Sequence, residues 1–152
     1  MRKRWRLATF DEVKEVASKC RKEDWIECVT LRGLPPDQWL TENYRPGTTY
    51  VIYNADGENV AIAGCDDAGQ RQGLIWLIAT PTIMKHQIEF LKHCKAWIDE
   101  VSRPFILVGN MVDARNTVHI KWLKWCGFTF IKNHDVRGHR YIEFCKVIEP
   151  CA

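Results

Sequence analysis

The run Leu74-Ile75-Trp76-Leu77-Ile78-Ala79 constrains this chain most, because it is apolar throughout and ends abruptly at Thr80-Pro81. A short unbroken apolar run of this kind reads as a strand covered on both faces. The residues after it change period. Thr80 is placed as an N-cap and Pro81 at the first helical position, where its missing N–H costs nothing. Met84, Ile88, Leu91, Ile98 and Val101 then recur at helical spacing and predict one core-facing stripe of a long helix. Pro104 stops that helix, and Phe105-Ile106-Leu107-Val108 begins another apolar strand. Strand, helix and strand in succession predict a parallel pair joined by a crossover.

The flanking segments fill in the order. Trp5–Ala8 reads as a first strand. Thr9 and Glu12 have capping-box spacing for a helix through about Lys19. A second helical stretch covers Glu23–Leu31 and stops at Gly33, and Pro35-Pro36-Asp37 opens a short turn of helix through Trp39 and Leu40. Tyr50–Tyr53 and Val60–Ala63 read as strands joined by Asn54-Ala55-Asp56-Gly57, and Asp66–Gly73 as a polar loop. Asn116 starts the next helix, with Ile120, Leu123 and Cys126 on its apolar side and Gly127 as its left-handed exit. Phe128–Ile131 and Tyr141–Val147 are the last strands, joined around Asp135–Gly138. The expected fold is α/β (mixed α+β), in the order β-α-α-β-β-β-α-β-α-β-β. Residues 1–152 form one domain with a mixed central sheet and helices on both faces.

Composition narrows the setting. The 152 residues carry a net charge of +3, are 46% hydrophobic and 27% charged, and include seven cysteines. No two cysteines form a C-x-x-C pair and no histidine stands at ligand spacing from a pair, so no metal site is expected and reduced thiols in a reducing compartment are. Cys151, beside the C-terminus, is expected to be exposed. The basic Arg2–Arg6 segment is followed by Asp11, Glu12 and Lys14, which breaks any signal-peptide pattern, and no apolar run is long enough to span a bilayer. Arg2–Arg6 around Trp5 can touch phosphates, although a solvated strand edge accounts for it as well.

The segment Asn116–Phe128, N-T-V-H-I-K-W-L-K-W-C-G-F, resembles the fourth helix and following strand of the GNAT (acyl-CoA N-acyltransferase) family, whose pattern is Asn-x-x-Ala-x-x-x-Tyr-x-x-x-Gly-Phe. Asn116, Gly127 and Phe128 match, His119 replaces the Ala, and Leu123 replaces the Tyr. A narrower resemblance is to small internal virion proteins of short-tailed, autographivirus-type phages. It rests on Val108-Gly109-Asn110 and on Asn116, Thr117, His119, Ile120, Lys121, Trp122, Leu123, Lys124 and Gly127.

The resemblance implies a cofactor diphosphate held at the start of the long helix by a glycine-rich loop, since glycine lets backbone N–H groups approach an anion. Thr80–Gln87 contains no glycine. Thr82, Ile83, Met84, Lys85 and Asn116 are the cofactor-binding candidates that remain. The strand Leu74–Ala79 has no carboxylate to act as base, and Leu123 has no proton to give. His119 is the catalytic candidate, against the alternative of a hydrogen-bonded structural residue, and Asp66 and Asp67 precede the strand. Trp25, Trp39, Trp122 and Trp125 are candidates for a partner interface, with Lys121 and Lys124 beside the last two.

The expectation from these residues is a virion or assembly protein on a GNAT fold that has lost catalysis. It would bind no cofactor, partner other phage virion proteins (portal, core or head components) as a homo- or hetero-oligomer, and reside in the virion and host cytoplasm. The alternatives are an acetyl-CoA-dependent N-acetyltransferase with an atypical cofactor site, and a phage effector that binds a host protein or nucleic acid.

Overall fold

A computed structural model describes residues 2–148. The elements are β1 (Trp5–Leu7), α1 (Phe10–Ser18), α2 (Lys22–Arg32), α3 (Pro36–Asn43), β2 (Thr49–Tyr53), β3 (Asn59–Asp67), β4 (Gln72–Ala79), a 3-10 helix (Pro81–His86), α4 (Gln87–Val101), β5 (Leu107–Asp113), α5 (Thr117–Trp125), β6 (Thr129–Val136) and β7 (His139–Val147). The strands form one sheet in the order β1-β2-β3-β4-β5-β7-β6. β4 and β5 pair in parallel, as the strand–helix–strand pattern requires, whereas β1–β2, β2–β3, β5–β7 and β6–β7 pair antiparallel. The fold class is the expected mixed α/β. No helix of the described residues is long and apolar enough to cross a membrane.

The chain divides into two compact units. The first comprises Met1–Gly64 and Trp76–Trp97. Its core joins Val13, Val16 and Ala17 of α1, Cys28 of α2, Trp39 and Leu40 of α3, and Val51, Ile62 and Ile78 of the strands. Burying each Val or Leu of such a core contributes about 1.5–3 kcal/mol. The box at the start of α1 forms as its spacing predicts: Glu12 N–H donates to Thr9 Oγ1 at 3.2 Å and Thr9 N–H to Glu12 Oε1 at 3.0 Å. In β3, Val60 is the extra residue of a bulge against β2.

The second unit comprises Cys65–Ile75 and Ile98–Ala152. β5 is its spine. Gly109 sits where a Cβ would lie 2.3 Å from the Phe144 carbonyl oxygen, so β5 and β7 reach this spacing only without a side chain there. Gly127 has φ 94°, the left-handed exit expected of α5. Phe128 then stacks edge-on against Phe144, ring centroids 5.2 Å apart. β6 borders the sheet, and its extra residue Ile131 is 55% exposed.

Several expectations are corrected. α4 begins at Gln87, because Pro81–His86 winds as a 3-10 helix with Ile83 N–H on Thr80 O. A 3-10 helix turns about 20° more per residue than an α-helix. The buried stripe also differs from the expected one: Ile83, Phe90, His93, Cys94, Trp97 and Ile98 are buried, Met84 lies in the 3-10 helix and is 40% exposed, and Ile88, on the side of α4 opposite Trp97, is 72% exposed. Asp66–Gly73 is not a loop, since β3 runs through Asp67 and β4 starts at Gln72. β5 begins two residues later than expected, with Phe105 N–H tied back to Ser102 O, and β6 extends well past Ile131. Cys20, Cys28, Cys65, Cys94, Cys126 and Cys145 are free thiols, and burial pushes Cys20 up to about 11 and Cys28 and Cys65 to about 12. Cys151 lies outside the described residues.

Candidate functional site

In the first unit, the end of β4 is pinned where the 3-10 helix begins. Ala79 O accepts Arg21 N–H at 2.7 Å, Ala79 N–H donates to Asp24 Oδ2 at 2.8 Å, and Thr80 N–H donates to Val60 O at 2.9 Å. Asp24 also takes Arg21 Nη2 at 3.2 Å and Nε at 3.3 Å, and the two side chains are only 2% and 7% exposed. Burial of such a pair is costly unless its remaining lone pairs are used, and here the backbone of β4 uses one. Sequence reasoning missed this clamp. Its only signal, an acid in the first turn of α2, reads equally well as a charge placed against the helix dipole.

The segment that follows offers little to an anion through its backbone. Pro81 has no N–H, and that of Ile83 donates to Thr80 O at 3.3 Å. Ile83 is 2% exposed and packs inward. Thr82 is half-buried, whereas Met84, Lys85 and His86 face solvent. Of the expected cofactor-binding residues here, Ile83 is therefore unavailable to a ligand on the solvent side. The geometry does not form a glycine cradle. What it presents to a phosphate is the Thr82 N–H and the side chains of Lys85 and His86.

Beside the 3-10 helix lies a small pocket, open to solvent, to which Thr82, Ile83, His86 and His93 contribute. The partly exposed Arg4–Glu89 ion pair also lines it. His93 is 6% exposed, and its Nδ1 has no hydrogen-bond partner among the described residues. Burial first, and then the Arg4 charge, lower its pKa, with Glu89 opposing. His86 and His93, two turns apart in the sequence, thus share one pocket.

In the second unit, β4 and β5 pair at Gln72–Leu107, Gly73–Val108 and Leu74–Gly109, and the Asn110 side chain then donates to Ile75 O at 2.8 Å. At the far end of β5, Asp113 accepts Arg115 N–H at 2.9 Å, Nε at 3.0 Å and Nη2 at 2.7 Å. Burial raises the Asp113 pKa, but the Arg115 hydrogen bonds and charge outweigh it, so the carboxyl titrates below its usual range. Asn116 is buried and caps α5, its Oδ1 accepting His119 N–H at 3.3 Å. It is therefore an architectural residue. His119 is half-buried and Leu123 is buried. Asp66 and Asp67 end β3, with Asp67 Oδ1 taking Gly69 N–H at 2.8 Å.

The four tryptophans divide. Trp39 and Trp122 are 8% and 9% exposed and belong to the chain's interior, while Trp25 and Trp125 are 48% and 47% exposed. Trp39 packs edge-on against Trp76 at 5.1 Å, with Arg32 over its ring at 4.6 Å.

Solved structures of N-acetyltransferases share this architecture over nearly their whole length. The ribosomal-protein-S18-alanine N-acetyltransferase from Escherichia coli superposes with a TM-score of 0.68 at 12% identity, over 97% of this chain and 95% of that one. The ribosomal-protein-alanine N-acetyltransferase from Brucella melitensis gives 0.68 at 16% identity, over 95% and 99%. The spermidine N-acetyltransferase from Vibrio cholerae, solved with CoA and spermine, gives 0.70 at 9% identity, over 94% of each chain. The fold is the GNAT acetyltransferase fold. Identities this low show the fold alone. No family model and no curated protein matches the sequence. The narrower likeness to internal virion proteins has no support in these structures.

Proposed function

We propose that this chain is an acetyl-CoA-dependent N-acyltransferase that grips its coenzyme's phosphates mainly with side chains. The observation that carries the reading is the fold, shared nearly end to end with N-acetyltransferases, one of them solved with CoA. The expectation that no cofactor binds has no such support. Bound acetyl-CoA supplies a thioester carbon, which an amine attacks as the carbon–sulfur bond breaks and the thiol leaves. This chain's part in binding falls to Lys85, His86 and the Thr82 N–H. Without glycine, Lys85 and His86 are exposed contacts that each contribute little alone. The Arg21–Asp24 clamp fixes where that surface begins.

Calorimetry with acetyl-CoA tests the reading. Saturable binding below millimolar is expected, weakened about three- to tenfold in Lys85→Glu. Binding weaker than that in the wild type, together with no acetyl transfer to spermidine or to an alanine-terminated peptide by mass spectrometry, overturns it. His119→Ala asks separately whether His119 takes the amine proton, in which case kcat falls about 10²–10⁴-fold.

A second reading, assembly with virion proteins, draws on Trp25 and Trp125, both nearly half exposed. Tryptophan on a surface favours protein contact. Co-sedimentation with purified phage portal, head and core proteins tests this, and a chain that never enters such a complex counts against it.

A further inference from the structure

We propose that the outward face of α5 and the basic end of the β6–β7 hairpin bind single-stranded nucleic acid, with phosphates on the cations and a base stacked on Trp125. The inference is independent of acyl transfer, since it uses none of the residues assigned to the coenzyme. The two tryptophans of α5 part company: Trp122 is buried, whereas Trp125 is 47% exposed. Thr117, Lys121, Lys124 and Trp125 are all exposed and stand at i, i+4, i+7 and i+8, one stripe along the helix. Lys124 Nζ lies 5.7 Å from the centroid of the Phe130 ring, so this stripe borders β6. Phe130 pairs with Phe144 of β7, and strand alternation puts Arg140 on the same sheet face as Phe144. Ala114 N–H donates to Arg140 O at 3.0 Å, which brings the end of the hairpin beside the start of α5. A track of exposed groups thus runs from Trp125 through Lys124 and Lys121 towards Arg140 and the turn residue Arg137.

Charge is concentrated on this track. Between Asn116 and Ile142 the chain carries five Lys and Arg and one acid, a net +4, against +3 for the whole chain. Among the described residues, Lys121, Lys124, Arg137 and Arg140 form no ion pair. The acids in and beside the segment are committed. Asp135 Oδ1 takes Gly138 N–H at 2.9 Å, Asp113 holds Arg115, and Glu143 Oε1 lies 2.7 Å from His134 Nε2. Cations left unneutralised on one part of a chain whose remainder is close to neutral are the electrostatic footprint of a polyanion. An acidic protein would meet the lysines but has no flat partner for the indole. A single strand supplies both, since each of its unpaired bases offers a face to stack and each phosphate a charge. A duplex keeps its bases inside the stack, so it meets the cations alone.

Fluorescence anisotropy of a labelled oligothymidylate of about twelve nucleotides, titrated with the full chain, tests this. Saturable binding is expected at low salt, with log K falling against log salt at a slope of about −3, since four phosphates contribute about −0.7 each. Lys121→Glu with Lys124→Glu should weaken binding about tenfold or more, and Lys19→Glu with Lys22→Glu, the same charge change on exposed residues elsewhere, less than about twofold. Trp125→Ala should weaken it about tenfold and Trp125→Phe should keep most of it, because a smaller aromatic ring still stacks. Polyglutamate should compete poorly, and a duplex of the same length should bind more weakly. No saturable binding to the wild type overturns the proposal. So does a Trp125→Ala affinity equal to that of the wild type, or a charge reversal on α5 no more damaging than the one at Lys19 and Lys22. Polyglutamate or duplex bound as tightly as the single strand overturns it too. All these substitutions are of exposed side chains, so the folded protein is what each titration reads.

Discussion

The helical segments after β4 and after β5 start differently, and only the second starts with the side-chain cap that its sequence pattern predicts. α5 opens on Asn116, whose side chain caps the helix, with Asp113 and Arg115 locked together just before it. The long helix opens on Thr80, whose hydroxyl is buried with no hydrogen-bond partner among the described residues, and on a 3-10 helix in place of a glycine loop. The kept start is held by its own side chains. The altered start is held from outside, by Arg21 and Asp24 on the strand end before it. A helix N-terminus can thus be fixed in a fold by distant side chains, with neither a glycine loop nor a side-chain cap of its own.

The sharpest way to break the altered start is Asp24→Ala. This removes the buried carboxylate that the Arg21 guanidinium and the Ala79 N–H share, and should cost about 3–5 kcal/mol in urea denaturation. A loss under about 1 kcal/mol would mean that the clamp holds nothing. At the kept start, Asn116→Ala should cost about 1 kcal/mol, up to about 2 because the cap is buried. Asn116→Asp, which still caps, should recover most of it.

Acid should separate the two starts by pH window. His93, in the pocket beside the altered start, has a lowered folded pKa. The unfolded chain then binds the proton more readily, so the stability His93 gives is complete above about pH 6.5 and declines below it. Asp113, before the kept start, is also lowered. For a carboxylate this means stability present above its unfolded value of about 3.9 and lost as pH falls through the folded one. Unfolding midpoints between pH 3 and 7.5 should show a shallow decline near pH 6 that His93→Gln removes, and a second decline below about pH 4 that Asp113→Asn reduces. The remainder belongs to Glu12, where the effect of burial is outweighed by the Thr9 hydrogen bonds and the Arg6 charge, so that its pKa is also lowered. The smallest effect belongs to Thr9→Ala, which opens the α1 capping box for about 1 kcal/mol or less and should leave the decline near pH 6 unchanged.

How much of this was legible follows from which interactions are local. The Thr9–Glu12 box, the Asn116 cap and the Gly127 exit depend on residues within one turn, and their spacing declares them. The α4 stripe was misplaced because Met84, which belongs to the 3-10 helix, and the exposed Ile88 were counted into it, while the polar His93 and the Phe90, Cys94 and Trp97 that pack inward were not. The Arg21–Asp24–Ala79 clamp joins residues 55 positions apart, and nothing in an Arg-x-x-Asp spacing points to a distant strand. The pocket is likewise a product of packing, since His86 and His93 are seven residues apart and the other walls come from Arg4, β2 and β3. The substitutions Leu123 for Tyr and a glycine-free Thr80–Gln87 were plain in the sequence. They speak to how the chain would do chemistry, and the fold is indifferent to them.

The bulge at Ile131 bears on how the molecule behaves in a crowd. β6 is a border strand, and a straight border strand is a template onto which another chain can add. By pushing Ile131 out of register, the bulge bends that template and interrupts its row of hydrogen-bonding groups. The same residue leaves an aliphatic side chain in water. Deleting Ile131 would tidy the surface and straighten the border together, producing a neater sheet and a chain more prone to stack into fibres.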